Sequence, residues 1–220
     1  MTDPAYWDTY AKSSKPRRQT NAAGETTWFN WTQYPDHGPG AGVLAISPGS
    51  VVLELGCGSG GNLAHLATLG ARAVGIDVSP AQLTAVEDRW GGQPGLQLRH
   101  ADAVPFLSET DTEFDAIYSV FGAAWFTDPD VLLPLVRKRL RPGGVYAFSH
   151  RPAIEGCYGC QASYIHREDA DPFIVKRWDY EPDRWVEILA GHGFTTASAE
   201  VVAAPPGPKT FGTLLVRAQA

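Results

Sequence analysis

Cysteine is scarce in this chain: three residues out of 220 form an odd set, in a protein far larger than the secreted miniproteins that need cross-links. Reduced thiols are expected, and a disulfide framework is excluded. Metal-ligand patterning is thin as well. Cys157-Tyr-Gly-Cys160 is one Cys-x-x-Cys pair, flanked by His150 and His166 but lacking a second well-spaced pair, so no metal is expected. No apolar run approaches the ~18 residues of a membrane span, and the opening Met1-Thr-Asp-Pro-Ala5 has no basic-then-apolar leader. No membrane association is expected, and the reading is a cytoplasmic protein. Positive charge is also short, with 18 Lys and Arg against 24 Asp and Glu and a net charge of −6. Without an extended basic stripe, a nucleic-acid partner is not expected. The small cluster Lys12, Lys15, Arg17 and Arg18 reads as a solvated N-terminal face. Internal repeats and low-complexity tracts are lacking.

What is present is an apolar strand running into a glycine loop. Val51, Val52, Leu53 and Leu55 make a short run rich in β-branched residues, the pattern of a central parallel strand buried on both faces. Gly56, Gly58, Gly60 and Gly61 follow, and glycines there let a ligand lie against the main chain. Leu63, Leu66, Ala67 and Leu69 then recur at helical spacing, so a helix N-terminus faces the same loop. Gly56, Gly58 and Gly61 also satisfy the dinucleotide fingerprint, so the neighbouring acids must decide. Glu54 sits in an apolar strand, where a carboxylate is costly without a partner such as a cationic ligand. Asp77 ends a second strand and is placed to accept from ribose hydroxyls. Asp102 follows a third, where it can accept from an adenine amino group. Three acids at three strand ends suit one adenosine-containing, positively charged ligand.

Five ordered segments resemble the class I S-adenosylmethionine-dependent methyltransferases, specifically their small-molecule branch. They are Glu54-Leu-Gly-Cys-Gly-Ser-Gly60, Gly75-Ile-Asp-Val-Ser79, Ala101-Asp-Ala-Val-Pro-Phe106, Phe114-Asp-Ala-Ile-Tyr-Ser119 and Leu140-Arg-Pro-Gly-Gly144. The resemblance implies an α/β fold: a doubly wound, mostly parallel seven-stranded sheet with a C-terminal antiparallel hairpin and an N-terminal helical lid. It implies S-adenosylmethionine as cofactor, held by Glu54, Gly56, Cys57, Gly58 and Asn62, by Asp77, Val78 and Gln82, and by Asp102, Ala103 and Ser119. Gln82 stands where the family often has methionine. The implied reaction is methyl transfer to a small-molecule acceptor, the attacked atom and oligomeric state left open. A non-catalytic scaffold and a nicotinamide-dependent oxidoreductase remain as alternatives, although the latter does not account for Asp102 or the hairpin.

The chain length suits one domain, divided into a lid (1–45), a cofactor-binding core (46–150), a substrate-wall insertion (151–181) and a closing helix and hairpin (182–220). Tyr6 and Tyr10 would share a helix face, and Trp28 and Trp31 likewise. Strands are expected near 51–55, 73–77, 96–100, 115–119 and 144–149, then 195–202 and 213–216, with helices near 60–69, 80–89, 129–140 and 185–192. Trp28, Trp31, Phe121, Trp125 and Tyr158 are candidate substrate contacts. Residues 151–181 show no clear periodicity. Methyl transfer rests mainly on positioning; where the acceptor must lose a proton, His150 at the end of the fifth strand and His37 in the Pro/Gly cluster are the candidate bases.

Overall fold

The computed structural model describes residues 4–13, 18–165, 172–208 and 210–220. Lys15, Arg17 and His166 lie outside the described residues. A helix α1 (Pro4–Ser13) comes first; the described residues 18–50 hold one short 3-10 turn (Ala41–Leu44), and the alternation of strands and helices then begins. It runs β1 (Val51–Leu55), α2 (Gly61–Thr68), β2 (Arg72–Asp77), α3 (Pro80–Trp90), β3 (Leu96–His100), α4 (Ala103–Glu109), β4 (Phe114–Val120), α5 (Ala123–Phe126), α6 (Pro129–Arg139) and β5 (Leu140–His150). A hairpin, β6 (Gly159–Ile165) and β7 (Phe173–Asp179), precedes α7 (Pro182–Gly191), β8 (Thr196–Val202) and β9 (Thr213–Gln219).

The main sheet has seven strands in the order β3-β2-β1-β4-β5-β9-β8. The first five are parallel, and β9 pairs antiparallel with both β5 and β8. Every β1 residue is buried because alternate side chains feed two apolar layers. Leu53 and Leu55 pack with Ile117, Phe148 and Trp185 on one face. Val52 packs with Leu63, Leu66 and Tyr118 on the other. The chain turns from β2 outward and from β4 in the opposite direction, so the β1/β4 boundary is the crevice where open α/β sheets bind ligands.

Local sequence sets the helix starts. Ser79 and Asp128 accept hydrogen bonds from Gln82 N and Asp130 N, and a proline at the first turn follows each. Asp102 caps α4 by accepting from Val104 N at 3.0 Å.

The structure departs from the sequence reading in the aromatic segment and the insertion. Trp28 and Trp31 lie in chain without regular secondary structure, not on a helix. Gly159–Ile165 and Phe173–Asp179 form a two-stranded sheet of their own. Its period was masked because the strands are short and the inward face mixes Val175 with Arg177 and Asp179. The short helices α4 and α5 were not expected either.

Candidate functional site

A cavity of about 1110 Å3 opens at the carboxyl ends of the parallel strands. Its floor is the glycine loop after β1. Gly56 and Gly58 have φ of 75° and 50°, the left-handed region that favours glycine. A Cβ at Gly56 would lie 2.8 Å from Ala123 N, so the loop and the start of α5 meet backbone to backbone.

Glu54, Gly56, Cys57, Gly58, Asn62, Asp77, Val78, Gln82, Asp102 and Ala103 all line this cavity. Glu54 is buried and accepts from the Tyr118 hydroxyl at 2.9 Å. Burial pushes the Tyr118 hydroxyl well up, and the Glu54 charge beside it adds to the shift. Asp77 accepts from Gly58 N through Oδ2 and from Ser79 N through Oδ1, each at 2.9 Å. Burial raises the Asp77 carboxyl; the donated N–H bonds oppose this, and nearby Asp8 adds to it. The Cys57 thiol is pushed well up by burial and then by Glu54 and Asp77, which keeps it protonated and unreactive. Asn62 accepts from Asn30 N at 2.9 Å and donates to Asn30 O at 3.1 Å. It therefore pins the N-terminal segment across the loop.

Ser119 does not reach the cavity. It is buried, donating to Leu55 O at 2.7 Å and accepting from Ala124 N at 3.2 Å, so it fastens β4 to β1 and to α5. Among the aromatic candidates, Trp28, Phe121 and Trp125 line the cavity. Phe121 has φ of 50°, a strained conformation for a bulky side chain and one that clusters at ligand sites. Trp31 is wholly buried against Phe29 and Tyr118 and donates to Gly40 O; it packs the core and contacts no ligand space. Tyr158 is solvent-exposed on the hairpin edge, its hydroxyl donating to Glu181 at 2.6 Å. It too is removed from the site.

Neither candidate base faces the cavity. His37 lines a separate small pocket, with Nε2 2.7 Å from Ala203 O. His150 is fully buried, its ring parallel to Trp125 within 4° at 5.1 Å and packed on Phe148. Its Nδ1 lies 2.6 Å from Arg151 O, so the neutral ring donates there. Burial, with Arg177 assisting, lowers its pKa to about 4. Among the described residues no histidine lines the cavity.

Several residues in or beside the cavity went unnoticed in the sequence. Asp8 on α1 accepts from the Ser79 hydroxyl and from Ala81 N at 3.3 Å, tying α1 over the start of α3. Trp90 lines the cavity, donates to Ser59 O at 3.3 Å, and carries the Arg89 guanidinium 4.4 Å from its ring centre. On the far side, Arg151, Lys176 and Arg177 line the space. Buried Asp179 accepts from Trp125 Nε1 at 2.8 Å. Arg177 Nε lies 2.8 Å from the other Asp179 oxygen, an ion pair whose angle misses a hydrogen bond. Alternation along β7, with Val175, Arg177 and Asp179 on one face, was the signal that could have found Arg177 and Asp179.

Residues 52–144 match the family model described as a methyltransferase domain. An uncharacterized methyltransferase of Synechocystis is 34% identical over 118 residues, 50% of this chain and 52% of that protein. A demethylmenaquinone methyltransferase of Tropheryma whipplei is 32% identical over 173 residues, 71% of each chain. The chain spans about half the length, or less, of several other curated relatives it matches. In fold it is similar to a 1,6-didemethyltoxoflavin-N1-methyltransferase of Burkholderia thailandensis, with a TM-score of 0.57 at 20% identity, over 78% of this chain and 71% of that one. The strand order, the glycine loop and the extended match to the Tropheryma protein agree, and the chain belongs to the S-adenosylmethionine-dependent methyltransferase family.

Proposed function

We propose that the protein transfers a methyl group from S-adenosylmethionine to a dissolved small-molecule acceptor, releasing S-adenosylhomocysteine. The observation that carries this reading is the line of three carboxylates, Glu54, Asp77 and Asp102, along one side of a cavity that continues past Phe121 and Trp125. A volume of about 1110 Å3 exceeds what one cofactor of ordinary size fills and leaves room for a second, small reactant. Residues 46–150 then hold the cofactor and 151–181 wall the acceptor. Glu54 faces the amino group, Asp77 the ribose and Asp102 the adenine. The net charge of −6 suits a metabolite acceptor better than nucleic acid. Three free thiols, Cys57, Cys157 and Cys160, suit a reducing, cytoplasmic setting.

The sulfonium already activates the methyl carbon, so the protein has to align nucleophile, carbon and departing sulfur. That alignment then supplies most of the acceleration. Mass spectrometry of a metabolite extract incubated with methyl-labelled cofactor tests this. Labelled product is expected; cofactor binding without product would leave a scaffold, and stabilisation by a nicotinamide cofactor instead would favour an oxidoreductase.

Asp102→Ala is expected to weaken cofactor binding by about 3- to 10-fold, less than loss of Asp77, because a single adenine amino group loses an acceptor. The cap bond to Val104 N also goes, so a lower melting temperature accompanies it. Calorimetry on both variants checks the ranking. The contact of Asp8 with Ser79 and Ala81 supports a reading of α1 as a lid beside Asp77. Hydrogen exchange of its amides should slow by about 10-fold or more when cofactor binds, and Asp8→Ala should remove that difference. Equal protection in both states would refute the lid.

A further inference from the structure

Charge is sorted along the rim of the cavity. The carboxylates stand at β1, β2 and β3, whereas Arg151 follows β5 and Lys176 and Arg177 stand on β7. Other cavity cations are accounted for: Arg18 pairs with Asp36 at 2.7 Å, and Arg89 lies over Trp90. Arg177 is paired with Asp179. Arg151 and Lys176, by contrast, have no ion pair among the described residues. The acid on this side, Asp128, is engaged in capping α6 through Asp130 N.

Resting on the methyl-transfer reading, we infer that the acceptor bears a carboxylate and that Arg151 and Lys176 dock it on the β5 side of the cavity. Both cations line the same cavity, and a carboxylate there forms charge-assisted hydrogen bonds with groups that have no ion-pair partner among the described residues. Trp125 supplies the adjoining surface. Its indole is fixed by Asp179 at 2.8 Å, backed by the parallel His150 ring and overlain by the Arg177 guanidinium 5.3 Å from its centre, so the wall beside the two cations is rigid and an acceptor meets a preorganised surface. An anionic acceptor is also drawn toward the cationic sulfonium, which orients the reactants before transfer.

The test uses protein saturated with S-adenosylhomocysteine and two matched probe pairs, 4-hydroxybenzoate with 4-hydroxybenzamide and succinate with succinamide, titrated by ligand-observed NMR. At least one carboxylate should bind about tenfold or more tightly than its amide. The double variant Arg151→Gln/Lys176→Gln should lose that preference, with melting temperature and S-adenosylhomocysteine affinity unchanged. Absence of any carboxylate preference in the wild type, or its survival in the double variant, overturns the inference. Failure of S-adenosylhomocysteine itself to bind would overturn the underlying methyl-transfer reading instead.

Discussion

Asp77→Ala should weaken S-adenosylmethionine binding by about 100-fold, or ~2.7 kcal/mol, the largest loss for any single side chain in the cofactor half. Two effects combine. The ribose hydroxyls lose their acceptor, and Gly58 N and Ser79 N lose theirs, so the glycine loop and the start of α3 relax together. Asp77→Asn keeps one carbonyl oxygen and should fall between wild type and alanine.

The pH dependence has a definite sign. Burial raises the Asp77 carboxyl above its ordinary value, so the folded protein holds this proton more tightly than the unfolded chain does. Ionised Asp77 therefore costs stability, a cost that grows as pH rises from the unfolded to the folded pKa and is complete above the latter. Cofactor hydroxyls donate only to good effect when the carboxylate is ionised, so affinity falls as pH drops through the raised pKa. Calorimetry across wild type, Asn and Ala at pH 7.5, and on wild type at falling pH, reads both. Unchanged affinity in folded Asp77→Ala would remove Asp77 from the site.

The glycine-loop side of the cavity was legible because its constraints are local. A strand buried on both faces has to be apolar, so Glu54 stood out within Val51–Leu55; a loop with φ of 75° and 50° at Gly56 and Gly58 has to be glycine. The side of the cavity toward β7 is assembled from distant pieces. Trp125, His150, Arg177 and Asp179 come together only when β7 packs on α5, and no spacing along the chain encodes that meeting. Position along a strand misled in the same way. His150 does end β5 at the carboxyl edge, but α5 covers it with Trp125, and Ser119 is likewise turned inward to Leu55 O. Trp31 and Trp28 illustrate the limit most simply: three residues apart, they share no helix face because the chain there is not helical, and one enters the core while the other lines the cavity.

Replacing His150 should damage stability before chemistry. Its ring fills the space between Trp125, Phe148 and Trp185, so His150→Ala leaves a hole costing about 2–4 kcal/mol, and turnover should fall only with the folded fraction. His150→Phe refills the stack and gives up the bond to Arg151 O, so its stability at pH 7 should lie within about 1.5 kcal/mol of wild type. The two proteins then differ in acid. Wild-type His150 titrates near 4 when folded against an ordinary 6.5, so between these values the unfolded chain binds more protons. The stability this residue contributes is full above pH 6.5 and lost as pH falls toward 4, a change of about 3 kcal/mol. Denaturant titrations of both proteins from pH 7 to pH 4 should show a steeper decline for wild type than for His150→Phe, and equal slopes would refute the buried neutral histidine. Turnover separates the chemistry. A stable His150→Phe protein with normal cofactor affinity should retain most of its activity, because the ring lies behind Trp125; a loss of about 100-fold in that variant would restore His150 as the general base.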